Sequence, residues 1–223
     1  MGRAKDIEIK VIPSKVANPF VKQHHYSGKV VNNSCLHFGA FLDGKLHGVL
    51  SYGPSLDKSK VIGLVDGTGW HEFLELNRMA FDECLPRNSE SYCIGRTLKM
   101  IKKQAPQIKW VISFADGTQC GDGTIYRASN FILTQIKQNN SLRRNPETGE
   151  VMQDMTAYHH GILKEYKTWP KVAGFQLRYI YFIDKSYRKR LTVPEIPFSE
   201  IDKAGAGMYK GEKITQAERH VNK

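Results

Sequence analysis

The sequence predicts a mixed α/β fold of the α+β kind, a mostly antiparallel central sheet flanked by helices. Short apolar runs with strand alternation recur through the first half, separated by turn chemistry. Longer segments with helical spacing are inserted between them. At 223 residues, 40% hydrophobic and 10% aromatic, the chain is apolar enough for a core and long enough for about one.

In chain order, Ile7 to Ile12 alternates apolar and charged residues as a half-buried strand does. Pro13-Ser14 then supplies a turn and a cap for a short helix reaching Tyr26. Leu36 to Leu42 and Leu46 to Tyr52 flank Asp43-Gly44-Lys45 and predict an antiparallel hairpin. A loop follows from Gly53 to about Gly69, and Glu72 to Phe81 resumes strand character. Pro86 to Ser91 opens a helix that runs to Lys103, with Ile94, Leu98 and Ile101 on one face, and Pro106 ends it. Trp110 to Ala115 is a short apolar run between breakers, predicting a buried strand, and a short helix follows from Gly123 to Asn130. Asn145 to Gly149 suits a polar hairpin, and Phe175 to Ile183 a strong strand. Beyond Pro197 no core-forming pattern remains, so residues 1–197 are expected as a single domain and 198–223 as a flexible polar tail.

Lysine plus arginine exceed aspartate plus glutamate by 33 to 22, a net charge of +11. Such a surplus suits polyanionic partners, nucleic acid among them, but is also common in proteins that touch no DNA. Cys35, Cys84, Cys93 and Cys120 lack CxxC spacing and read as free thiols rather than a zinc ribbon or disulfide framework. The charged N-terminus is no signal peptide, and no apolar stretch approaches the roughly 20 residues of a spanning helix. A soluble cytoplasmic protein without membrane attachment is expected.

Two groups of polar residues could carry chemistry. In Glu75-Leu-Asn-Arg78, strand alternation places Glu75 and Asn77 on one face and Arg78 on the other. His24-His25-Tyr26, Asp116 after a buried strand, and Tyr126 on the helix behind it would converge at the strand ends, where imidazole and carboxylate suit a divalent metal or proton transfer. The alternative is a surface histidine pair and an Asp116-Gly117 turn.

The order of elements resembles the GNAT acyltransferases. In those enzymes the loop after the fourth strand cradles the coenzyme A pyrophosphate on a helix N-terminus, where unpaired amides favour an anion. Pro86 to Ser91 takes that place here, with Arg87, Asn88, Ser89 and Ser91 instead of glycines. Arg87 would pair with phosphate and Ser89 or Ser91 would add a hydroxyl, unless Asn88 and Ser89 are simply helix caps. The donor implied is acetyl-CoA or another acyl donor.

Four segments in order, HHYSG from His24, ELNRMAFDECLPRNSES from Glu75, SFADGTQCGDGTIYRASNF from Ser113 and YIYFIDKSYRKRL from Tyr179, resemble the Mom DNA-modification proteins of Mu-like phages. The resemblance implies a GNAT-like enzyme that adds a carbamoylmethyl group to the exocyclic amine of adenine and so shields phage DNA from host restriction. It implies that His25, Tyr26, Asp116 and Tyr126 are catalytic or iron-associated, with His25, Tyr26 and Asp116 as metal ligands. It also implies that Arg78 and Ser91 contact the acyl donor. The loop from Gly117 to Gly123 departs from the pattern expected in relatives, a proline after the aspartate and often a histidine within the loop; Cys120 or Asp122 could substitute as a ligand, but both are left outside the site.

Double-stranded DNA is the expected partner, in the cytoplasm of the infected bacterial host, and a homodimer is left open. Lys99-Lys102-Lys103, Arg143-Arg144 and Lys185-Arg188-Lys189-Arg190 would meet phosphates, while Tyr26 and Tyr52 could stack a base taken out of the duplex. The alternatives are a GNAT N-acetyltransferase acting on a protein or small-molecule amine, and a non-enzymatic DNA-binding module.

Overall fold

The computed structural model describes residues 3–118 and 121–207. After a 3-10 turn at Arg3–Asp6, the elements are β1 (Glu8–Ile12), α1 (Ser14–His24), β2 (Leu36–Leu42), β3 (Lys45–Gly53), α2 (Lys58–Ile62), β4 (Phe73–Phe81), α3 (Ser89–Gln104), β5 (Trp110–Asp116), α4 (Thr124–Ala128), β6 (Ile132–Asn139), β7 (Leu142–Arg144), β8 (Val151–Gln153), α5 (Asp154–His159), α6 (Leu163–Tyr166), β9 (Gly174–Phe182) and α7 (Ser199–Lys203). A second 3-10 turn spans Lys185–Arg190. The described residues form two compact units: 3–114, 125–134 and 179–195 make the first, and 115–118, 121–124, 135–178 and 196–207 the second.

A seven-stranded sheet runs in the order β1-β2-β3-β4-β5-β9-β6. β1 to β4 pair antiparallel with sequential neighbours, and β4 pairs parallel with β5. The mixed, mostly antiparallel sheet is therefore the architecture expected. The β2–β3 turn places Asp43 and Gly44 at positive φ, 50° and 76°, the backbone that a tight Asp-Gly hairpin requires.

Apolar packing among the described residues holds the first unit. α1 buries Ala17 and Val21 against Ile12, Val49 and Ala80, as its helical spacing dictates. Elsewhere Phe73 and Trp110, partners across the β4–β5 ladder, stack at 4.4 Å with Val61, Val65, Ile112, Ile180 and Phe182 around them. Each such buried side chain contributes about 1.5–3 kcal/mol. α3 turns Cys93, Ile94, Thr97, Leu98 and Ile101 inward.

The second unit has its own cluster, Met152, Ala157, Tyr166 and Trp169. β7 and β8 form the hairpin expected around Asn145 to Gly149, with Gly149 at positive φ, 73°. Five elements differ from the sequence reading. β6 was not foreseen because Gln135, Lys137 and Gln138 dilute its apolar residues, and α2 lies inside the expected loop. α5 and α6 are too short to show a helical period. Ser199–Lys203, inside the stretch expected as a tail, is helix α7 and buries Ile201; residues 208–223 of that stretch lie outside the described residues.

Candidate active site

The site begins with an irregularity in β4. Ser51 faces Arg78 and Tyr52 faces Leu76, so the register shifts there and Asn77 is the extra residue of a bulge. A bulge breaks strand alternation, which corrects the expectation that Glu75 and Arg78 occupy opposite faces: the two interact electrostatically. Gly53 sits opposite, and a Cβ there would run into the Asn33 carbonyl and lie 2.8 Å from Asn77 Oδ1. Asn77 is buried, and its Oδ1 accepts from Ser34 Oγ at 3.1 Å.

α1 ends at His24, two residues before the position expected, and His25 is its C-cap, with its N–H donating to Val21 O at 2.9 Å. This fixes the backbone under the imidazole. Nδ1 lies 2.8 Å from Ser27 Oγ and accepts the Ser27 N–H at 3.1 Å. Burial pushes the His25 pKa down to about 4, and the Arg78 charge adds to the shift. The ring is therefore neutral at physiological pH, as a proton acceptor or a metal ligand must be.

The Tyr26 ring lies 4.3 Å from that of His25 and is 59% exposed. Arg78 donates to Lys29 O at 2.9 Å and to Asn77 O at 2.8 Å, its own pKa lowered by burial while Tyr26 and Glu75 oppose the shift. Glu75 is raised by burial, against hydrogen bonds from Ser55 and Asn77 and the Arg78 charge. The first unit thus brings His25, Tyr26, Arg78 and Glu75 together. Glu75 lies outside the site residues expected from the sequence.

Tyr126 is buried on α4 and stacks on Tyr179 at 4.3 Å, 7° from parallel. Its hydroxyl lies 2.9 Å from Ser113 Oγ, which also reaches Leu76 O at 3.2 Å. Ser113 follows the last β5 residue paired with β4, Ile112. Asp116 closes β5 in the second unit, where its Oδ1 accepts the Thr118 N–H at 2.8 Å. Asp122 accepts from Thr124 N and Oγ1 at 3.1 and 2.6 Å, an Asx turn leading into α4. Cys120 lies outside the described residues.

Tyr52, considered as a base-stacking ring, is fully buried, hydrogen-bonded to Thr97 Oγ1 at 2.7 Å and packed edge-on to Phe38. Burial raises its pKa well above the usual phenol value. It belongs to the core, and only Tyr26 of the two has a face to offer.

At the start of α3, Arg87, Asn88 and Ser91 line a surface hollow of about 380 Å³ with Ala4, Lys5, Tyr92 and Ala128. Ser89 is not part of it. That side chain is buried, and its hydroxyl donates to Pro86 O, so it braces the turn. Asn88 takes the N-cap position at φ 68° without a side-chain cap bond. Lys5 was missed because nothing in a linear reading ties it to this loop.

Several residues of the basic clusters have structural partners. Arg188 forms a two-pronged ion pair with Glu195, Arg190 donates to the Asp66 and Gly67 carbonyls, and Arg143 donates to Trp169 O. Lys185 lies over the Tyr181 ring. Lys99, Lys102 and Lys103 project from α3, all exposed. The described cysteines, Cys35, Cys84 and Cys93, are free thiols as expected. Among the described residues no helix is long and apolar enough to cross a membrane.

Residues 6–200 match the model of the Mom protein family. The chain is 36% identical over 195 residues to "Methylcarbamoylase mom" of Escherichia phage Mu, covering 84% of this chain and 80% of that protein. Among solved structures it is similar to an N-acetyltransferase from Staphylococcus aureus Mu50, with a TM-score of 0.49, 9% identity and coverage of 79% and 98% of the two chains. It is also similar to the ribosomal-protein-S18-alanine N-acetyltransferase of Escherichia coli, with a TM-score of 0.47, 8% identity and coverage of 79% and 94%.

Proposed function

Because the chain belongs to the Mom protein family, we propose that it is a transferase that places a carbamoylmethyl group on the exocyclic amine of adenine in double-stranded phage DNA, protecting it from host restriction. The observation that carries this reading is the 36% identity to a methylcarbamoylase over most of the chain. The grouping of His25, Tyr26, Arg78 and Glu75 is consistent with it.

Adenine's exocyclic amine is a poor nucleophile because its lone pair is delocalised into the ring. Transfer therefore needs a positioned donor and a proton acceptor. In the proposed step the amine nitrogen forms a bond to the transferred carbon, the donor's bond to that carbon breaks, and the amine proton passes to a protein base. His25 is neutral, as that role requires; because Nδ1 accepts the Ser27 N–H, the ring's lone pair lies at Nδ1, 2.8 Å from Ser27 Oγ, and its proton at Nε2. Tyr126, linked to Ser113, is the second candidate. The exposed Tyr26 ring offers a stacking face for a flipped adenine.

The hollow at the start of α3 would take the phosphates of a coenzyme-linked donor, with Arg87 and Lys5 as cations and Ser91 lining it; acetyl-CoA by itself would deliver an acetyl group, so a carbamoylmethyl product needs a donor that presents the CH2 carbon with its own leaving group. Ser89 serves it only by shaping the turn. Arg78 would contact the acyl portion. His25 and Tyr26 supply imidazole and phenol, donor types that suit iron, and Asp116 offers a carboxylate by residue type alone; iron would supply Lewis-acid chemistry.

Mass spectrometry of nucleosides digested from the DNA of bacteria expressing this chain tests the reading. A heavier adenosine derivative is expected with the wild type and not with Asp116→Ala or Tyr126→Phe. Unmodified adenine, together with acetyl-CoA turnover on a peptide or small amine, would overturn it in favour of an N-acetyltransferase.

A further inference from the structure

Away from the residues assigned above, one end of the β3–β4 ladder gathers three different ligand types. His47 lies near the start of β3, and Asp82 directly follows β4. The ladder continues between them: Asp82 N–H donates to His47 O at 3.1 Å, so their backbones are fixed side by side. Their side chains meet at 2.8 Å, Nδ1 to Oδ2, with only 15% and 18% exposure. Asp82 uses its other oxygen, Oδ1, to accept the Cys84 N–H at 2.9 Å, which turns the chain back. As a result the ligand atoms of His47, Asp82 and Cys84 all lie within 4.8 Å of one another. Cys84 is a free, exposed thiol.

We propose that His47, Asp82 and Cys84 form a binding site for a divalent transition-metal ion of zinc type, with solvent in the fourth position. Nitrogen, carboxylate and thiolate ligands at roughly 2.0–2.3 Å from a tetrahedral ion stand about 3.3–3.7 Å apart. To reach that spacing the 2.8 Å His47–Asp82 pair opens slightly and the Cys84 thiol draws in, shifts of about 1 Å from the present positions. A thiolate and an imidazole favour zinc or cobalt over magnesium or calcium, which prefer all-oxygen sets. Cys84 binds as the thiolate and releases its proton to solvent. The hydrogen bond between His47 and Asp82 is replaced by their two bonds to the ion.

The site has a structural consequence. Cys84 lies in the connection from β4 to α3, two residues before Pro86. An ion held here ties that connection to the β2–β3 hairpin and limits the freedom of the turn that carries Arg87. It shares no ligand with His25, Tyr26 and Asp116, so its existence is independent of the DNA-modification reading.

Cobalt(II) is the probe, because thiolate ligation gives a charge-transfer absorption in the near ultraviolet and tetrahedral geometry gives intense visible bands. Chelator-treated full-length protein, titrated with cobalt chloride, is expected to bind one ion with both signals and to lose them when zinc is added. Cys84→Ser should abolish the charge-transfer band, His47→Ala should weaken binding at least tenfold, and Cys35→Ser should change neither. Circular dichroism of each variant separates lost ligation from lost folding. No charge-transfer band in the wild type, or a band that survives in folded Cys84→Ser protein, would overturn the proposal.

Discussion

The His25 imidazole is buried beside the Arg78 guanidinium, and loss of solvent first, then the like charge, pushes its pKa down to about 4. In the unfolded chain the same ring titrates near 6.5. Between these values the unfolded state binds more protons than the folded state, so stability falls as pH drops from about 6.5 towards 4. The full shift corresponds to roughly 3 kcal/mol at most, since one pKa unit is about 1.4 kcal/mol. Urea unfolding at pH 7 and pH 4.5 should therefore reveal a steeper acid loss in the wild type than in His25→Gln. Equal slopes would mean that this ring is not held neutral by its site.

Arg78→Gln removes the charge and leaves the burial. The His25 pKa should then rise but stay below 6.5, because desolvation is the larger cause. Imidazole proton shifts followed by NMR through the titration would read this directly, and DNA modification should fall at least tenfold. An unchanged His25 titration would show that the two groups do not interact.

Ser89 and Ser91 each donate to a carbonyl three residues back, Pro86 O and Asn88 O, but Ser89 is buried while Ser91 lines the hollow. Ser89 donates to Pro86 O inside the turn, so Ser89→Ala should lower stability by about 1 kcal/mol. Ser91 and Arg87 line the open hollow. For Ser91→Ala and Arg87→Gln the expected result is an unchanged Tm with acyl-donor affinity several-fold weaker, measured by calorimetry. The reverse pattern, weak donor binding with Ser89→Ala and normal binding with Ser91→Ala, would exchange their roles.

How much of this could be read from sequence differs by residue. The β2–β3 hairpin was legible because alternation and Asp-Gly turn chemistry agree, and α3 because Ile94, Leu98 and Ile101 share a face. The Asn77 bulge was not, since a two-residue period assumes an unbroken ladder and so sets Glu75 and Arg78 on opposite faces. Neither could Tyr52 be recognised as core: its partner Thr97 is 45 residues away. His25 and Tyr26 were singled out as neighbours in sequence, but the Arg78 charge beside them comes from another strand. Ser27 was visible as part of the HHYSG segment, yet only its distance to Nδ1 gives it a role.

Tyr126→Phe is expected to keep the stack on Tyr179 and lose the contact with Ser113. Stability should change by about 1 kcal/mol, the usual net worth of one hydrogen bond. If the hydroxyl takes part in proton transfer, the modified adenosine should drop by two or more orders of magnitude while Tm shifts by a few degrees. Full product with Tyr126→Phe would confine the residue to packing.

The basic clusters divide by what already occupies them. Arg188 is paired with Glu195, and Arg190 is bonded to the carbonyls of Asp66 and Gly67, with its guanidinium also 4.1 Å from the Tyr187 ring centre. Their replacement should act on folding: Arg190→Ala removes two hydrogen bonds to exposed carbonyls and the ring contact and should cost about 1 kcal/mol, with little effect on the salt dependence of DNA binding. The exposed Lys99, Lys102 and Lys103 of α3 are better placed to meet phosphates. Replacing all three by glutamine should leave Tm within a few degrees and reduce the magnitude of the slope of log affinity against log salt by up to about 2–3, as each lost phosphate contact releases about one counterion fewer. Fluorescence anisotropy with a short duplex, repeated at several salt concentrations, measures that slope. An unaltered slope in the triple variant, or a shallower one in Arg190→Ala at equal stability, would move the DNA contact away from α3 to the Lys185–Arg190 turn.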